Sequence, residues 1–187
     1  MLEHRPWDHV IDLKLDFKLS DCKIYPLNPI EQEVLKTFIH NQLESGWIRR
    51  SKSPMASPFF FIKKMDGSLR PIQDYRKLNE GTIKDKYPLP LINELVNKVK
   101  KAKRITKLNL RWRYYNVRIR EGDEHKAAFH TNMGLFEPMV MFFGLCNAPA
   151  TFQAFINGIF IELLAKGIIV VYLDDVIIFS DSNEEHI

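Results

Sequence analysis

The chain has 187 residues, 45% hydrophobic and 27% charged, which suits one globular domain with a sizeable core. Its net charge of +4 permits a polyanionic partner without requiring one. No apolar run approaches the ~18 residues that span a bilayer, the N-terminus lacks a secretory pattern, and the two cysteines form no CxxC pair. We therefore expect an intracellular, soluble protein without a membrane span or a zinc site.

The first elements follow from local patterns near the N-terminus. Residues 1–28 carry scattered prolines and charges without clear periodicity, which predicts an extended arm. A helix is predicted to begin after Asn28, which can cap it, with Pro29 at its first position and Glu31 in its first turn. Gly46 ends this helix, and a loop with two prolines follows.

A β-hairpin is predicted over 59–79, with its turn at Asp66-Gly67. Three basic residues, Lys63, Lys64 and Arg70, lie on either side of the turn. Two interpretations stay open: the charges protect an exposed edge strand from pairing, or they present several cations to a polyanion. The residues alone favour the first interpretation.

The second half of the chain intersperses short strands with helices. The patterns predict a helix over 91–99, strands over 105–110, 116–120 and 127–131, a helix over 149–165 and a hairpin over 168–180. Because strands and helices do not alternate regularly as βαβ units, this order favours an α+β fold.

Two adjacent carboxylates, Asp174 and Asp175, interrupt the apolar hairpin in the stretch VVYLDDVIIFS. A tight turn with the two aspartates at its tip is one interpretation, because Asp tolerates turn geometry. The commonest two-residue hairpin turns contain glycine, however, and two neighbouring like charges repel. A divalent cation between the carboxylates is the other interpretation, and this stretch alone leaves both open.

Four stretches in order along the chain carry a resemblance: RPIQDYRKLN, KLNLRWRYYNVRI, MFFGLCNAPATFQ and VVYLDDVIIFS. Together they resemble the reverse transcriptase domain of gypsy-type LTR retrotransposon Pol polyproteins, and HRPWDHVIDL is similar to the segment that joins protease to reverse transcriptase. The resemblance implies that residues 1–28 form this connection. It implies that 29–187 form the fingers and palm of a right-hand polymerase, with an antiparallel palm sheet backed by helices, truncated after the Y-x-D-D hairpin.

The function that the resemblance implies is RNA-directed DNA polymerisation, in which two Mg²⁺ or Mn²⁺ ions assist nucleotidyl transfer onto a primer 3′ hydroxyl. The implied partners are an RNA or DNA template with its primer, deoxynucleoside triphosphates, and the thumb, connection and RNase H segments of a parent polyprotein. The implied location is the cytoplasm, a virus-like particle or the nucleus. Asp174 and Asp175 match the metal-binding carboxylates of the family's palm hairpin.

Further positions match the family's nucleotide-binding residues. Arg70, with Lys63 or Lys64, matches the cations that hold the triphosphate, and a guanidinium fork suits phosphate. Tyr114 matches the aromatic residue beneath the sugar, although a buried aromatic side chain after a strand is the simpler interpretation. The box that positions nucleotide and template begins with two matching residues, Phe143 and Gly144.

The chain departs from the family at two positions. The family's third metal-binding carboxylate lies in K-L-D-L-R, whereas this chain has Asn109, a weaker ligand without charge. Arg113 replaces the glycine before the pocket aromatic residue. Together with the end of the sequence after the hairpin, these changes predict a weak or inactive enzyme. The alternative is a catalytically inactive remnant of the same fold that binds nucleic acid or a protein.

Overall fold

The computed structural model describes residues 3–18, 22 and 24–186. The chain divides into two compact units, one of Met1–Lys84 with Tyr114–Ala148 and one of Asp85–Arg113 with Pro149–Ile187. Each unit has its own sheet, and helices are interspersed with the strands, which confirms the predicted α+β class. Within the described residues, no helix has both the length and the apolar composition that crossing a membrane requires.

The structure contains five helices, eight strands and two short 3₁₀ turns in the part of the chain that it describes. In chain order the helices and strands are α1 (Pro29–Glu44), β1 (Ile48–Arg50), β2 (Ser57–Lys63), β3 (Leu69–Gln73), α2 (Arg76–Gly81), α3 (Ile92–Val99), β4 (Arg104–Asn109), β5 (Phe129–Thr131), β6 (Gly134–Pro138), α4 (Ala148–Ile159), α5 (Ile161–Lys166), β7 (Ile169–Tyr172) and β8 (Asp175–Ser180). The 3₁₀ turns are Arg113–Asn116 and Glu124–Ala127.

Helix α1 begins where the sequence predicts it. The Asn28 side chain accepts a hydrogen bond from the Glu31 backbone at 2.9 Å, and the Glu31 carboxylate accepts one from the Asn28 backbone at 2.9 Å. This reciprocal capping box satisfies two amides that the first helical turn leaves without partners. Leu35 and Ile39 bury the apolar face of the helix, and Gly46 has a positive φ of 68° just beyond its end.

The first unit contains a five-stranded sheet in the order β1-β6-β5-β2-β3. The predicted hairpin forms as β2 and β3, paired antiparallel from Phe59↔Gln73 to Lys63↔Leu69. Its predicted end at residue 79 is wrong, because β3 ends at Gln73 and helix α2 begins at Arg76. The predicted strand over 116–120 is wrong: in the described chain its residues make only isolated bridges, His9↔Ile119 and Arg118↔Val140. The 3₁₀ turn that ends at Asn116 takes the first of these residues out of an extended conformation.

The N-terminal segment packs against the first unit as part of its core. His9 and Ile11 are each only 1% exposed. The His9 backbone donates to the Arg118 carbonyl at 2.7 Å, and the Ile11 backbone donates to the Asp123 carboxylate at 2.9 Å. The body of the unit therefore satisfies these backbone groups. Turns at residues 6–7 and 15–16 interrupt the described part of the segment, which the sequence predicts as an extended arm. The end of the predicted arm includes residues 19–21 and 23, which lie outside the described residues.

The second unit contains a three-stranded antiparallel sheet in the order β4-β8-β7. In this sheet the strand predicted over 105–110 pairs with the hairpin predicted over 168–180. The single helix predicted over 149–165 is instead two helices, because Phe160 leaves the helical conformation between α4 and α5. Gly167 closes α5 in the left-handed conformation that glycine adopts readily, and α5 packs against β7.

Candidate active site

The turn of the β7–β8 hairpin carries the two carboxylates of the second unit. Tyr172 pairs with Asp175, so the two residues at the tip are Leu173 and Asp174. The predicted Asp174-Asp175 tip is therefore wrong by one residue, because the register makes Asp175 the first residue of β8. Leu173 adopts a positive φ of 52°, a conformation rare for a bulky side chain.

Asn109 lies at the carboxylates, as the resemblance implies. It is the last residue of β4 and stands directly opposite Asp175 in the antiparallel register. Its side-chain amide nitrogen lies 3.1 Å from an Asp175 oxygen and 3.4 Å from an Asp174 oxygen. Asn109 thus directs a hydrogen-bond donor at both carboxylates, where a third carboxylate would repel them.

Two cations of the same unit also contact the carboxylates. The Arg113 guanidinium forms an ion pair with Asp174. The Lys107 ammonium lies 3.0 Å from the second oxygen of Asp175, and its hydrogen bond holds the pKa of that carboxyl below the ordinary value. The cluster therefore combines two negative and two positive side chains.

Lys107 is a member of this cluster that the sequence reasoning missed. It precedes Asn109 by two residues on β4, so both side chains lie on the same face of the strand. Opposite them, Asp175 is the diagonal neighbour of Lys107, a distance that a long side chain reaches. Because every second side chain of a strand lies on the same face, the position of Asn109 beside the carboxylates also indicates that Lys107 lies near them.

The residues present do not fit a site for two divalent ions. One Asp175 oxygen lies 3.1 Å from the Asn109 nitrogen, and the other lies 3.0 Å from the Lys107 ammonium. One Asp174 oxygen forms the ion pair with Arg113. Among the described residues, no group of three or more His, Cys, Asp or Glu side chains is arranged to hold a metal ion. The Lys107 ammonium and the Arg113 guanidinium already neutralise the two carboxylates, which therefore attract a pair of dications only weakly.

A cavity of about 530 Å³ brings together several predicted nucleotide-binding residues of the first unit. The Arg70 guanidinium lies 5.7 Å from the centre of the Phe143 ring, a cation–π contact. The ring centre of Tyr114 lies 4.7 Å from that of Phe143, and Tyr114 is 7% exposed. Arg70, Phe143 and Gly144 line the cavity, while Tyr114 supports Phe143.

Gly144 lies at the edge of this cavity and has a backbone conformation that favours glycine. Its φ is +96°, and a Cβ there would lie 3.5 Å from the Tyr75 ring. The Asn79 side chain donates to the Gly144 carbonyl at 2.7 Å and accepts from the Cys146 backbone at 2.9 Å. The last residue of RPIQDYRKLN therefore fixes the backbone of MFFGLCNAPATFQ.

The remaining predicted cations lie at the tip of the β2–β3 hairpin. Lys63 is the last residue of β2, and the Lys64 backbone closes the turn by donating to the Ser68 carbonyl at 2.8 Å. Both side chains are exposed, and neither lines the cavity of the described unit. The structure thus groups Arg70 with Phe143 and Gly144 and leaves Lys63 and Lys64 on the surface.

Tyr115 is a cavity residue that the sequence reasoning missed. Its ring stacks on Trp47 at 4.5 Å and meets Phe142 edge to face at 5.2 Å. Burial raises the pKa of its hydroxyl. The only sequence signal is its position beside Tyr114, and the rings of both residues contact that of Phe143.

Comparison with known proteins identifies the sequence relatives of the chain. The family described as reverse transcriptase (RNA-dependent DNA polymerase) matches residues 62–187. Over 163 residues the chain is 43% identical to the Tf2-3 transposon polyprotein of Schizosaccharomyces pombe and 42% identical to the Tf2-7 polyprotein of the same organism. Each alignment covers 87% of this chain and 12% of the relative, so the chain spans about an eighth of these polyproteins.

Solved structures share the fold. The prototype foamy virus protease–reverse transcriptase aligns with a TM-score of 0.81 at 24% identity, and covers 98% of this chain and 24% of its own. The foamy viral protease–reverse transcriptase in complex with an RNA/DNA hybrid aligns with a TM-score of 0.84 at 20% identity and the same coverage. These similarities confirm the fingers-and-palm fold. With a family match over more than half of its length, the chain belongs to the reverse transcriptase (RNA-dependent DNA polymerase) family.

Proposed function

We propose that the chain is the fingers-and-palm part of a gypsy-type retrotransposon reverse transcriptase whose nucleotidyl transfer is weak or absent in this copy. The observation that carries the proposal is the pairing of Asp174 with Arg113 and of Asp175 with Lys107 beside Asn109. The family's chemistry needs divalent ions held by carboxylates. In this cluster the protein's own cations and amide occupy the carboxylate oxygens.

The substitutions at 109 and 113 both weaken the attraction of the cluster for cations, and the effect is large. Asn109 removes a negative charge from the cluster, and Arg113 adds a positive charge to it. At a separation of about 4 Å and an effective dielectric constant near 20, each unit charge changes the energy of a dication by about 8 kcal/mol before solvent relaxation. Each ~1.4 kcal/mol that reaches the barrier changes the rate tenfold. Both substitutions therefore act against metal-dependent synthesis.

The second candidate function is nucleotide or nucleic-acid binding without chemistry. The first unit favours it, because the cavity with Arg70 over the Phe143 ring is intact. Arg70 offers a guanidinium to phosphate, while the Phe143 ring, 36% exposed, offers an apolar surface to a sugar or base. Lys63 and Lys64 extend the positive surface at the hairpin tip. The proposed ligands are deoxynucleoside triphosphates and an RNA or DNA template with its primer.

The organisation and location of the protein are part of the proposal. Residues 1–28 would connect a protease to the polymerase in a parent polyprotein, which would also supply the thumb, connection and RNase H segments. The similarity to transposon polyproteins of Schizosaccharomyces pombe supports this arrangement. The proposed location is the cytoplasm or a virus-like particle, with the nucleus as the alternative.

Primer extension tests the proposal. The chain, joined to the thumb, connection and RNase H segments of a related element, is compared with the same chimera carrying Asn109→Asp and Arg113→Gly on an RNA template with Mg²⁺. We expect little or no extension by the unaltered chimera and a gain of at least 100-fold in the repaired one. Robust extension by the unaltered chimera would show that the cluster tolerates metal. A chimera with Asp175→Asn provides the inactive control.

A further inference from the structure

The turn that carries Asp174 has a conformation that its sequence does not favour. Leu173 has a φ of +52°, and it is one of two residues other than glycine with a positive φ in the described chain. A glycine at this position would adopt that conformation readily, whereas leucine does so only when surrounding contacts enforce it. A specific contact should therefore hold this turn.

Gln153 makes that contact from helix α4. Its side chain is fully buried, with 0% exposure. Its carboxamide oxygen accepts a hydrogen bond from the Leu173 backbone at 2.8 Å, and its nitrogen lies 3.3 Å from the Val171 carbonyl. One side chain thus bonds the last part of strand β7 and the first residue of the turn.

Two neighbouring side chains, Asn157 and Tyr87, extend the hydrogen bonds of the Gln153 carboxamide. Its nitrogen donates to the Asn157 side-chain oxygen at 2.9 Å, and the Asn157 nitrogen donates to the Tyr87 hydroxyl at 2.9 Å. Because the Leu173 N–H can only donate and the Val171 carbonyl can only accept, the nitrogen end of Gln153 cannot exchange places with the oxygen end. The acceptor is consequently held toward Leu173, because a buried carboxamide keeps the orientation that satisfies all its partners.

We propose that Gln153 is a positioning residue whose hydrogen bond enforces the left-handed conformation of Leu173. Through that conformation Gln153 sets the positions of Asp174 and Asp175 even when no metal is bound. Asp174 follows Leu173 directly, and Asp175 closes the turn by pairing with Tyr172. A change in the backbone at Leu173 would redirect both carboxylates. The expected effect of Gln153 on metal binding rests on the proposed function, whereas its effect on the conformation of the turn does not.

Substitution of Gln153 and of Leu173 tests the inference in the 187-residue chain. Gln153→Met keeps the length of the side chain and removes its hydrogen bonds. Leu173→Gly removes the need for enforcement, because glycine accepts a positive φ. Ile156→Val, a buried change on the same helix, is the matched control for a loss of packing. The Asp174 and Asp175 backbone amide signals are recorded by ¹⁵N NMR for each variant.

We expect Gln153→Met to broaden or double the Asp174 and Asp175 signals, and we expect Gln153→Met with Leu173→Gly to restore one sharp set. Ile156→Val should leave these signals unchanged. Single, unshifted signals in Gln153→Met would overturn the inference, as would a double variant as heterogeneous as Gln153→Met, because a packing defect would not respond to a glycine at 173.

A metal titration measures the consequence in the background of Asn109→Asp with Arg113→Gly. We expect Gln153→Met to weaken Mn²⁺ binding about tenfold and Leu173→Gly to recover most of the loss. Unchanged affinity in Gln153→Met would contradict the inference. Absence of any Mn²⁺ binding in the background itself would contradict the proposed function, and the NMR comparison alone would then decide the role of Gln153.

Discussion

At position 109 the family's carboxylate oxygen is replaced by an NH₂ group of nearly the same shape. Asn109 can therefore occupy the end of β4 opposite Asp175 without disturbing the sheet, and its nitrogen bonds the carboxylates. Arg113 and Lys107 then complete a neutral cluster. Small changes at single residues thus convert a strongly negative site into one that its own side chains satisfy.

A single residue also dominates the predicted nucleotide contacts of the first unit. Arg70→Ala should weaken binding of a deoxynucleoside triphosphate by about 10- to 100-fold, since a charge-assisted hydrogen bond contributes about 1.5–3 kcal/mol. Fluorescence titration with a labelled nucleotide measures this change. Lys52→Ala is the control, because Lys52 is an exposed cation of the same unit that does not line the cavity. An equal loss in both variants would show that the cavity is not the binding site.

At individual residues, the sequence predicted some contacts of the cluster and not others. The resemblance implied that Asn109 lies beside Asp174 and Asp175, because the order of the motifs specifies which strands are neighbours. It did not reveal the ion pair of Arg113 with Asp174, since the family has glycine there and offers no side chain to match. A contact made by a substituted residue depends on the geometry of the folded chain.

At the scale of elements, structures determined by local rules were predictable. The α1 capping box and the Asp66-Gly67 hairpin each depend on a few consecutive residues. Strand β1 was missed, because it has three residues and pairs with residues almost ninety positions away. Such a short strand forms through tertiary pairing, which the pattern of the segment itself does not encode. Strand β6 was missed although it forms a tight hairpin with β5, from Phe129↔Phe136 to Thr131↔Gly134.

Docking of the N-terminal segment on α2 gives a prediction at this scale. A Cβ on Gly81 would lie 1.9 Å from an atom of the Phe17 ring. Gly81→Ala should therefore lower the free energy of unfolding by about 1–3 kcal/mol, the range for overpacking, as measured by urea denaturation. Phe17→Ala should suppress most of this loss in the double variant. Additive losses would show that the ring is not the obstacle.

Asp123 gives a pH-dependent prediction for the same segment. Burial acts to raise the pKa of its carboxyl, but hydrogen bonds from Lys126, the Ile11 backbone and Arg120 outweigh it and hold the pKa below the ordinary value of an aspartate. A carboxyl with a lowered folded-state pKa stabilises the protein above its unfolded pKa of about 3.9, and this contribution is lost as the pH falls through the folded pKa.

Asp123→Asn should consequently lower stability at pH 7 and flatten the loss of stability below about pH 4. Urea denaturation at a series of pH values from 7 to 2.5 measures both effects. Asp16→Asn, at an exposed position of the same segment, is the matched control. An acid limb as steep in Asp123→Asn as in the unaltered chain would mean that another carboxyl is responsible.

At the scale of the whole molecule, the net charge of +4 and the exposed hairpin lysines suit a polyanion bound mainly through phosphates. Binding of an RNA/DNA hybrid should be weak and should fall about 10- to 50-fold between 50 and 200 mM salt, as expected for two to three phosphate contacts. Fluorescence anisotropy measures the slope. Affinity that is independent of salt would exclude this mode of binding.

In the proposed function, the protein's own cations and Asn109 occupy the carboxylates that would otherwise hold metal ions. The most direct test is Mn²⁺ titration by electron paramagnetic resonance of the unaltered chain, Asn109→Asp, Arg113→Gly and the double variant. We predict that the unaltered chain binds Mn²⁺ most weakly, that each single change tightens binding, and that the double variant binds at least 100-fold more tightly, a difference of about 2.7 kcal/mol. Equal Mn²⁺ affinity in the unaltered chain and the double variant would contradict this account.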